Sequence, residues 1–269
     1  MNGLRVYVSG VGVWSPRFSG LDGLSQALAG ATPTAPSARP PAAMLPANER
    51  RRAPDSVLLA IEVAGQAVTM SGQDPRELAC VFSSSHGDQP ITDYMCETLA
   101  RAPAELSPIR FHNSVHNAAA GYWTIATGCH AASTAISAQH ASFGAGLLEA
   151  SCQVMTEQRP LLLVCSDTAG SGRLTPITGC HAPFGCALVL VPTAAAGTLA
   201  RLDLNLHPGS IDATPWSSSL AGEWAANPSA AALPLLAMLA SLSLGESRGD
   251  CRLMVAGQLG MDVHMEASA

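Results

Sequence analysis

Apolar positions along this chain follow two rhythms. Near-continuous apolar runs, "LRVYVSGVGVW", "LACVF", "PLLLVCSDT" and "GCALVLVPT", predict buried strands. Apolar residues at helical spacing predict helices in "GLDGLSQALAG", "APDSVLLAIEVAGQAVTMSG", "PITDYMCETLARAP", "SVHNAAAGYWTIATG" and "ASFGAGLLEASCQVMTEQ". Gly30 closes the first helix, Asp55 holds a cap-like position in the second, and prolines bracket the third. The first strand is expected to end in a Gly/Pro turn, and "STAISA" is a further short strand. Strands alternating with helices predict an α/β sheet covered on both faces. Beyond residue 197 the pattern thins to a strand in "LARLDLNLHPG", a helix in "SAAALPLLAMLASLSLG" despite Pro234, and a strand pair in "CRLMVAGQLGMDVHMEA". The Pro/Ala stretch "ATPTAPSARPPAAMLPANERRR" is long for a connection and is expected to be exposed or functional. No tandem repeat of solenoid period is present.

Composition narrows the chemistry. With 48% hydrophobic and 13% charged residues, the chain is a folding sequence rather than a disordered one. A net charge of −6 argues against a nucleic-acid partner, and "ERRR" (Glu49 to Arg52) reads as a solvated loop. All 14 basic residues are Arg, which excludes Schiff-base chemistry and a P-loop lysine. The eight Cys are scattered without a CxxC pair and suit buried thiols in a reducing compartment. The opening residues run straight into a strand pattern, and the longest apolar run is too short for a bilayer. A cytoplasmic protein with no membrane span, metal or cofactor is expected.

Two stretches resemble a known family. The opening "VYVSGVGVWSPRFSGLDGLSQALAG" resembles the start of β-ketoacyl synthases of the thiolase fold, with their strand, G-x-G turn, Pro and short helix ending in Ala-Gly. The block "LSPIRFHNSVHNAAAGYWTIATGCHAASTAISAQHAS" resembles their run from S-P through N-x-x-A-G to the T-A-C-x-S nucleophile elbow. Ser107, Pro108, Asn117, Ala120, Gly121, Thr124, Ile125, Gly128, Ser133 and Ser142 fit without a gap. The resemblance implies a half-thiolase α/β sheet layered with helices. Residues 1–197 would be the ketosynthase-like half, and 198–269 a strongly reduced second half packed on it.

The departures are as informative. In the ungapped match the nucleophile position falls on His140, and Cys129 lies eleven residues too early. A stored thioester needs a thiolate, and an imidazole would give a labile acyl group. The family's H-G-T and N-x-x-G-H motifs and its Lys are also missing, since His207 and His264 sit in unrelated contexts. The pattern resembles chain-length-factor-like subunits, above all those of aryl polyene pathways. The resemblance then implies a non-catalytic subunit paired with an active β-ketoacyl synthase, meeting acyl carrier protein through that complex. It also implies that Ile109, Arg110, Phe111 and Ser114 reach the acyl tunnel and set chain length. The strand Ser133, Thr134, Ala135, Ile136, Ser137 and Ala138 would be the edge at which two subunits join.

Each of these residues also has a plainer reading. His140 could serve as a helix-start cap, Cys129 as a buried structural thiol and Phe111 as core. His112 and His116 could share a helix face and bind metal. Asp167 suits a loop cap better than a general base, and Ser83 to His86 a polar turn better than a phosphate nest. Two other functions stay open: a stand-alone acyltransferase or decarboxylase using Cys129 or His140, and a homodimeric scaffold without a tunnel.

Overall fold

The computed structural model describes residues 3–34, 36–209, 213 and 222–268. Residue 35, in the Pro/Ala stretch, lies outside them. The chain opens with β1 (Leu4–Trp14), α1 (Gly20–Leu28), α2 (Ala47–Arg52), α3 (Asp55–Ser71), β2 (Ala79–Ser83) and α4 (Gln89–Arg101). Then come α5 (Pro108–His112), α6 (Ala118–Thr127), β3 (Ser133–Ile136), α7 (Ser142–Glu157), β4 (Leu161–Asp167), α8 (Thr175–Thr178) and β5 (Phe184–Val191). β6 (Ala200–Pro208), α9 (Leu233–Ser241), β7 (Arg248–Ala256) and β8 (Leu259–Ala267) follow. These strands make one sheet in the order β3-β2-β4-β5-β1-β6-β8-β7. β2 pairs in parallel with β3 and β4, and the other pairs are antiparallel.

The center of the sheet shows why the opening glycines are there. The predicted Gly/Pro turn is instead the interior of β1, which runs on to Trp14. A Cβ on Gly10 would stand 2.1 Å from the Ala67 carbonyl oxygen, and one on Gly12 would stand 2.0 Å from that of Val63. The glycines therefore let α3 lie directly on the strand. The register slips between Val8 and Gly10. This bulge keeps Val6, Val8, Val11 and Val13 in one core although their spacing changes phase.

Two cores flank the sheet. α3 and α6 cover one face, with Trp14, Leu58, Ile61, Trp123 and Leu162 between. α1, α7 and α9 cover the other, around Phe18, Phe143, Leu147, Leu188 and Leu236. α7 packs against β1, β2 and β4 on one side and against β7, at the far end of the strand order, on another. The sheet must therefore curl around α7. Strands β6, β8 and β7 turn Leu202, Leu204, Leu253, Val255, Val263 and Met265 inward to the α7 core.

Among the described residues no helix lies over their outer face, so the expectation of cover on both faces holds only for the central strands. The exposed positions carry a grid of opposite charges. Arg201 lies opposite Glu266 and Glu266 opposite Arg248, while Asp262 lies opposite Arg252. Arg5 donates to Asp203 at 2.6 Å, Arg248 to Glu266 at 2.8 Å and Arg252 to Asp262 at 2.7 Å. Cross-strand pairs of this kind fix register.

Other local readings change as well. Pro54 occupies the N-cap of α3, and Asp55 instead accepts from Arg39 at 2.5 Å. The Pro/Ala stretch is anchored by Ala42 and Leu45, both buried, and "ERRR" forms most of helix α2 rather than a loop. The helix containing Pro234 survives because that residue falls in its first turn, where no N–H partner is lost. His112 ends α5 and His116 precedes α6, so the two do not share a helix face. The eight thiols are free; Cys96 is exposed and Cys152 half-buried, and the rest are buried.

Asp203 and Asp262 hold pKa values below their ordinary 3.8, and Glu266 below 4.5. For Asp203, burial works upward, but the Arg5 and Arg201 contacts outweigh it. Arg252 dominates at Asp262 and Arg248 at Glu266. A folded-state pKa below the unfolded one contributes stability above the unfolded value and loses it as pH falls through the folded one. The melting temperature should therefore drop as pH is lowered from about 4.5. Asp203→Asn should flatten that drop in a series of thermal melts.

Candidate functional site

The C-terminal ends of β2, β3 and β4 gather the residues that matter. After β3 the chain makes a single 3-10 turn, Gln139–Ala141, and enters α7. Gln139 has φ of +52°, a left-handed conformation uncommon for a residue with a side chain. Ser142 stabilises the turn: its hydroxyl donates to the Gln139 carbonyl at 2.6 Å and accepts from the Ala138 amide at 3.0 Å. β3 itself stops at Ile136, so Ser137 and Ala138 belong to the turn region. His140 is exposed and makes no hydrogen bond among the described residues. Its cap reading is therefore overturned, because Ser142 makes the bonds at this turn.

His140 lines a cavity of about 420 Å³ with Gly144, Trp224, Pro228, Leu233, Leu253 and Met254. Gly144 is essential to its shape. A Cβ there would stand 2.1 Å from the Met254 carbonyl oxygen, so only glycine lets the first turn of α7 touch β7.

A buried carboxylate organises the surrounding loops. Asp167 ends β4 and is 1% exposed. One oxygen accepts from the Ser84 hydroxyl at 2.8 Å, the Ser85 amide at 2.9 Å and the His86 amide at 3.0 Å. The other accepts from the Ser229 hydroxyl at 2.7 Å. Burial pushes its pKa up, and the bonds from Ser229, His86 and Ser84 work against that rise. The backbone donors of the Ser83–His86 turn thus hold an internal carboxylate, which excludes the phosphate nest. Asp167 is a loop cap.

The same turn meets the other candidate segments. The Ser137 hydroxyl donates to the Ser85 carbonyl at 3.3 Å, and His116 Nε2 lies 2.9 Å from the Ser84 carbonyl. The α5 segment is held by Asn113, buried and accepting from Tyr122 at 3.3 Å. Of its four candidates, two serve the segment itself. The Arg110 guanidinium stacks 3.9 Å from the center of the Tyr94 ring, and the Ser114 hydroxyl donates to the Phe111 carbonyl at 2.8 Å. Ile109 and Phe111 are 65% and 58% exposed, which removes the core reading of Phe111. Exposed Val115 adds to this apolar surface, and sequence reasoning had no signal for it.

β3 lies at one end of the sheet. The Ala132 and Ile136 carbonyls accept from Cys80 and Ser84. By strand alternation, Ser133 and Ala135 turn their backbone groups outward. Cys129 is elsewhere. It is buried, and its thiol donates to the Leu78 carbonyl at 3.3 Å, near the start of β2 and away from the turn before α7. Among the described residues no group of three His, Cys, Asp or Glu side chains is placed to hold a metal ion. None of the described helices is long and apolar enough to cross a membrane.

A family profile described as "Beta-ketoacyl synthase, N-terminal domain" matches residues 25–243. The chain belongs to that family. Solved structures share its fold. One is the ketosynthase ApeO in complex with its chain length factor ApeC from Xenorhabdus doucetiae. It is 22% identical with a TM-score of 0.70, and the match covers 98% of this chain and 99% of that one. The ishigamide ketosynthase/chain length factor is 16% identical with a TM-score of 0.72, covering 99% and 100%. AntDE:AntF, a type II acyl-carrier protein in complex with its ketosynthase, is 12% identical with a TM-score of 0.73, covering 99% and 100%. No curated protein matches the chain. The turn before α7 carries His140, the residue that the motif match set at the nucleophile position.

Removing the Asp167 carboxylate would strand four donors. Asp167→Ala should cost at least about 3 kcal/mol in chemical denaturation. Asp167→Asn should cost far less, because the amide oxygen keeps three donors and the amide nitrogen can donate to Ser229.

Proposed function

We propose that this chain is a chain-length-factor-like subunit that does not condense by itself. It pairs with an active β-ketoacyl synthase and forms part of the wall of the acyl tunnel during polyene or polyketide elongation. Residues 1–197 supply the ketosynthase-like frame, and 198–269 stand for the reduced second half, drawn into the same sheet. The catalytic Cys, His and Lys come from the partner, and the elbow of this chain keeps the fold without a nucleophile. Ketosynthase complexes with a chain length factor among the similar structures support this proposal.

The observation that carries it is a difference between the two ends of the sheet. β7 carries Arg248, Asp250 and Arg252 and a register irregularity near Met254, devices that discourage strand pairing. β3 has the uncharged sequence Ser-Thr-Ala-Ile and outward backbone groups at Ser133 and Ala135. Exposed Ile109, Phe111 and Val115 belong to a segment anchored to the same Ser84–His86 turn. An open edge beside exposed apolar side chains suits a large, permanent partner. One bulky side chain projecting into a tunnel stops chain growth by sterics, and Phe111 is the largest on this surface.

Ala135→Pro tests the edge, because it removes an outward N–H and leaves the bonds to β2 at Thr134 and Ile136 in place. The purified variant should melt as the wild type does but bind the ketosynthase at least about tenfold more weakly. Unchanged affinity in native mass spectrometry would remove β3 from the interface. In a reconstituted pair, Phe111→Ala should shift the products toward longer chains, read by mass spectrometry. An unaltered distribution would remove Phe111 from length control.

A further inference from the structure

The α5 segment is too small to hold itself in place. It is five residues long, and none of them is buried. A helix of little more than one turn has no stability of its own in water. Its position must come from contacts on either side of Phe111. Beyond Phe111, the Asn113–Tyr122 and His116–Ser84 contacts fix the exit from the helix. Ahead of Phe111, Tyr94 on α4 fixes the entry. Its hydroxyl accepts from the Ser107 amide at 3.0 Å and donates to the Glu105 carbonyl at 3.4 Å. Its ring carries the Arg110 guanidinium at 3.9 Å. One side chain thus meets both the cap residue and the first turn of α5. The Ser107 hydroxyl adds only a long cap bond to the Arg110 amide, at 3.5 Å.

α4 is a firm base for this clamp. Asp88 caps the helix, accepting from the Ile91 amide at 2.7 Å and from the Ser56 hydroxyl at 2.6 Å. The buried amide of Gln89 accepts from the Thr178 hydroxyl at 3.1 Å and donates to the Thr168 carbonyl at 3.4 Å. One turn on, Asp93 accepts from the Arg173 amide at 3.3 Å. The helix that carries Tyr94 is therefore tied to α3 and to the β4–β5 connection before it reaches α5.

Neighbouring side chains on a helix point about 100° apart. A planar guanidinium laid on a ring fixes the rotation of so short a helix. With Arg110 turned onto α4, Ile109 and Phe111 point away from that contact on its two flanks, and both are exposed. We infer that Tyr94 is a positioning residue, which sets the direction of Phe111 through Arg110 and so takes part in deciding product length. That Phe111 limits the product rests on the function proposed above; that Tyr94 aims Phe111 does not.

The test uses the full chain reconstituted with its ketosynthase, and product lengths are read as a distribution by mass spectrometry. A distribution is a ratio, so weaker pairing or a lower yield leaves it in place, whereas a misdirected Phe111 changes it. Tyr94→Leu should raise the share of longer products about threefold, and so should Arg110→Ala. The double variant should go no further than either single one, because both changes remove the same contact. Tyr94→Phe keeps the ring and should keep the wild-type distribution. A wild-type distribution in both Tyr94→Leu and Arg110→Ala, beside a shift in Phe111→Ala, overturns the positioning role and leaves length control standing. A shift in Tyr94→Phe as large as in Tyr94→Leu, or additive shifts in the double variant, overturns action through Arg110. If Phe111→Ala itself changes nothing, the proposed length control fails, and positioning is read in this chain alone by amide hydrogen exchange of residues 107–113. Exchange about threefold faster in Tyr94→Leu and Arg110→Ala, and restored in Tyr94→Phe, supports the clamp. Unchanged exchange overturns it.

Discussion

The carboxylate of Asp167 is the contact on which the functional end of this molecule depends. It is a buried acid whose bonds are to hydroxyls and backbone amides. Such a group persists only where donors surround it. Those donors come from the turn after β2 and from Ser229 beside the cavity. The turn after β2 in turn touches Ser137 beyond β3 and His116 beyond α5. One side chain thus sets the relative placement of the elbow, the edge strand and the exposed α5 surface.

The second constraint is the roll of the sheet around α7. In a flat sheet, β7 would lie far from the helix that packs on β4. Instead Gly144 on α7 meets the Met254 backbone on β7, and Leu253 and Val255 join the same core as Leu147. The three added strands therefore cover a helix that would otherwise expose an apolar side. Their outer face then needs no second layer, because paired charges leave it stable in water. A short C-terminal part can in this way complete a core without building a second sheet.

The two sheet ends have opposite characters, and this links fold to function. One is defended by charge and irregular register, and the other is open and lies in a region with exposed Ile109 and Phe111. The turn before α7 carries His140, an exposed imidazole that makes no hydrogen bond among the described residues. The role proposed for the chain, lending surface and shape to a partner's reaction, rests on the contrast between the two ends.

Much of this was legible in the residues themselves. The strands β2, β4 and β5 and the helices α3 and α7 follow from apolar period and Gly/Pro punctuation, since burial of those runs is a local property. The motif spacing matched His140 to the nucleophile position, and the fold does put His140 in the turn between β3 and α7. What the sequence could not determine was anything that joins distant residues. The cap of α3 passed to Pro54 because Arg39 claimed Asp55. Gly10 and Gly12 looked like a turn until α3 was seen lying on them. The stack of Arg110 on Tyr94 and the bond from Ser114 to the Phe111 carbonyl had no signal in the sequence. The partners of Asp167 and the curl that brings β7 to α7 belong to tertiary structure. Local pattern determines which residues avoid water; only the closed fold decides which polar groups they carry together.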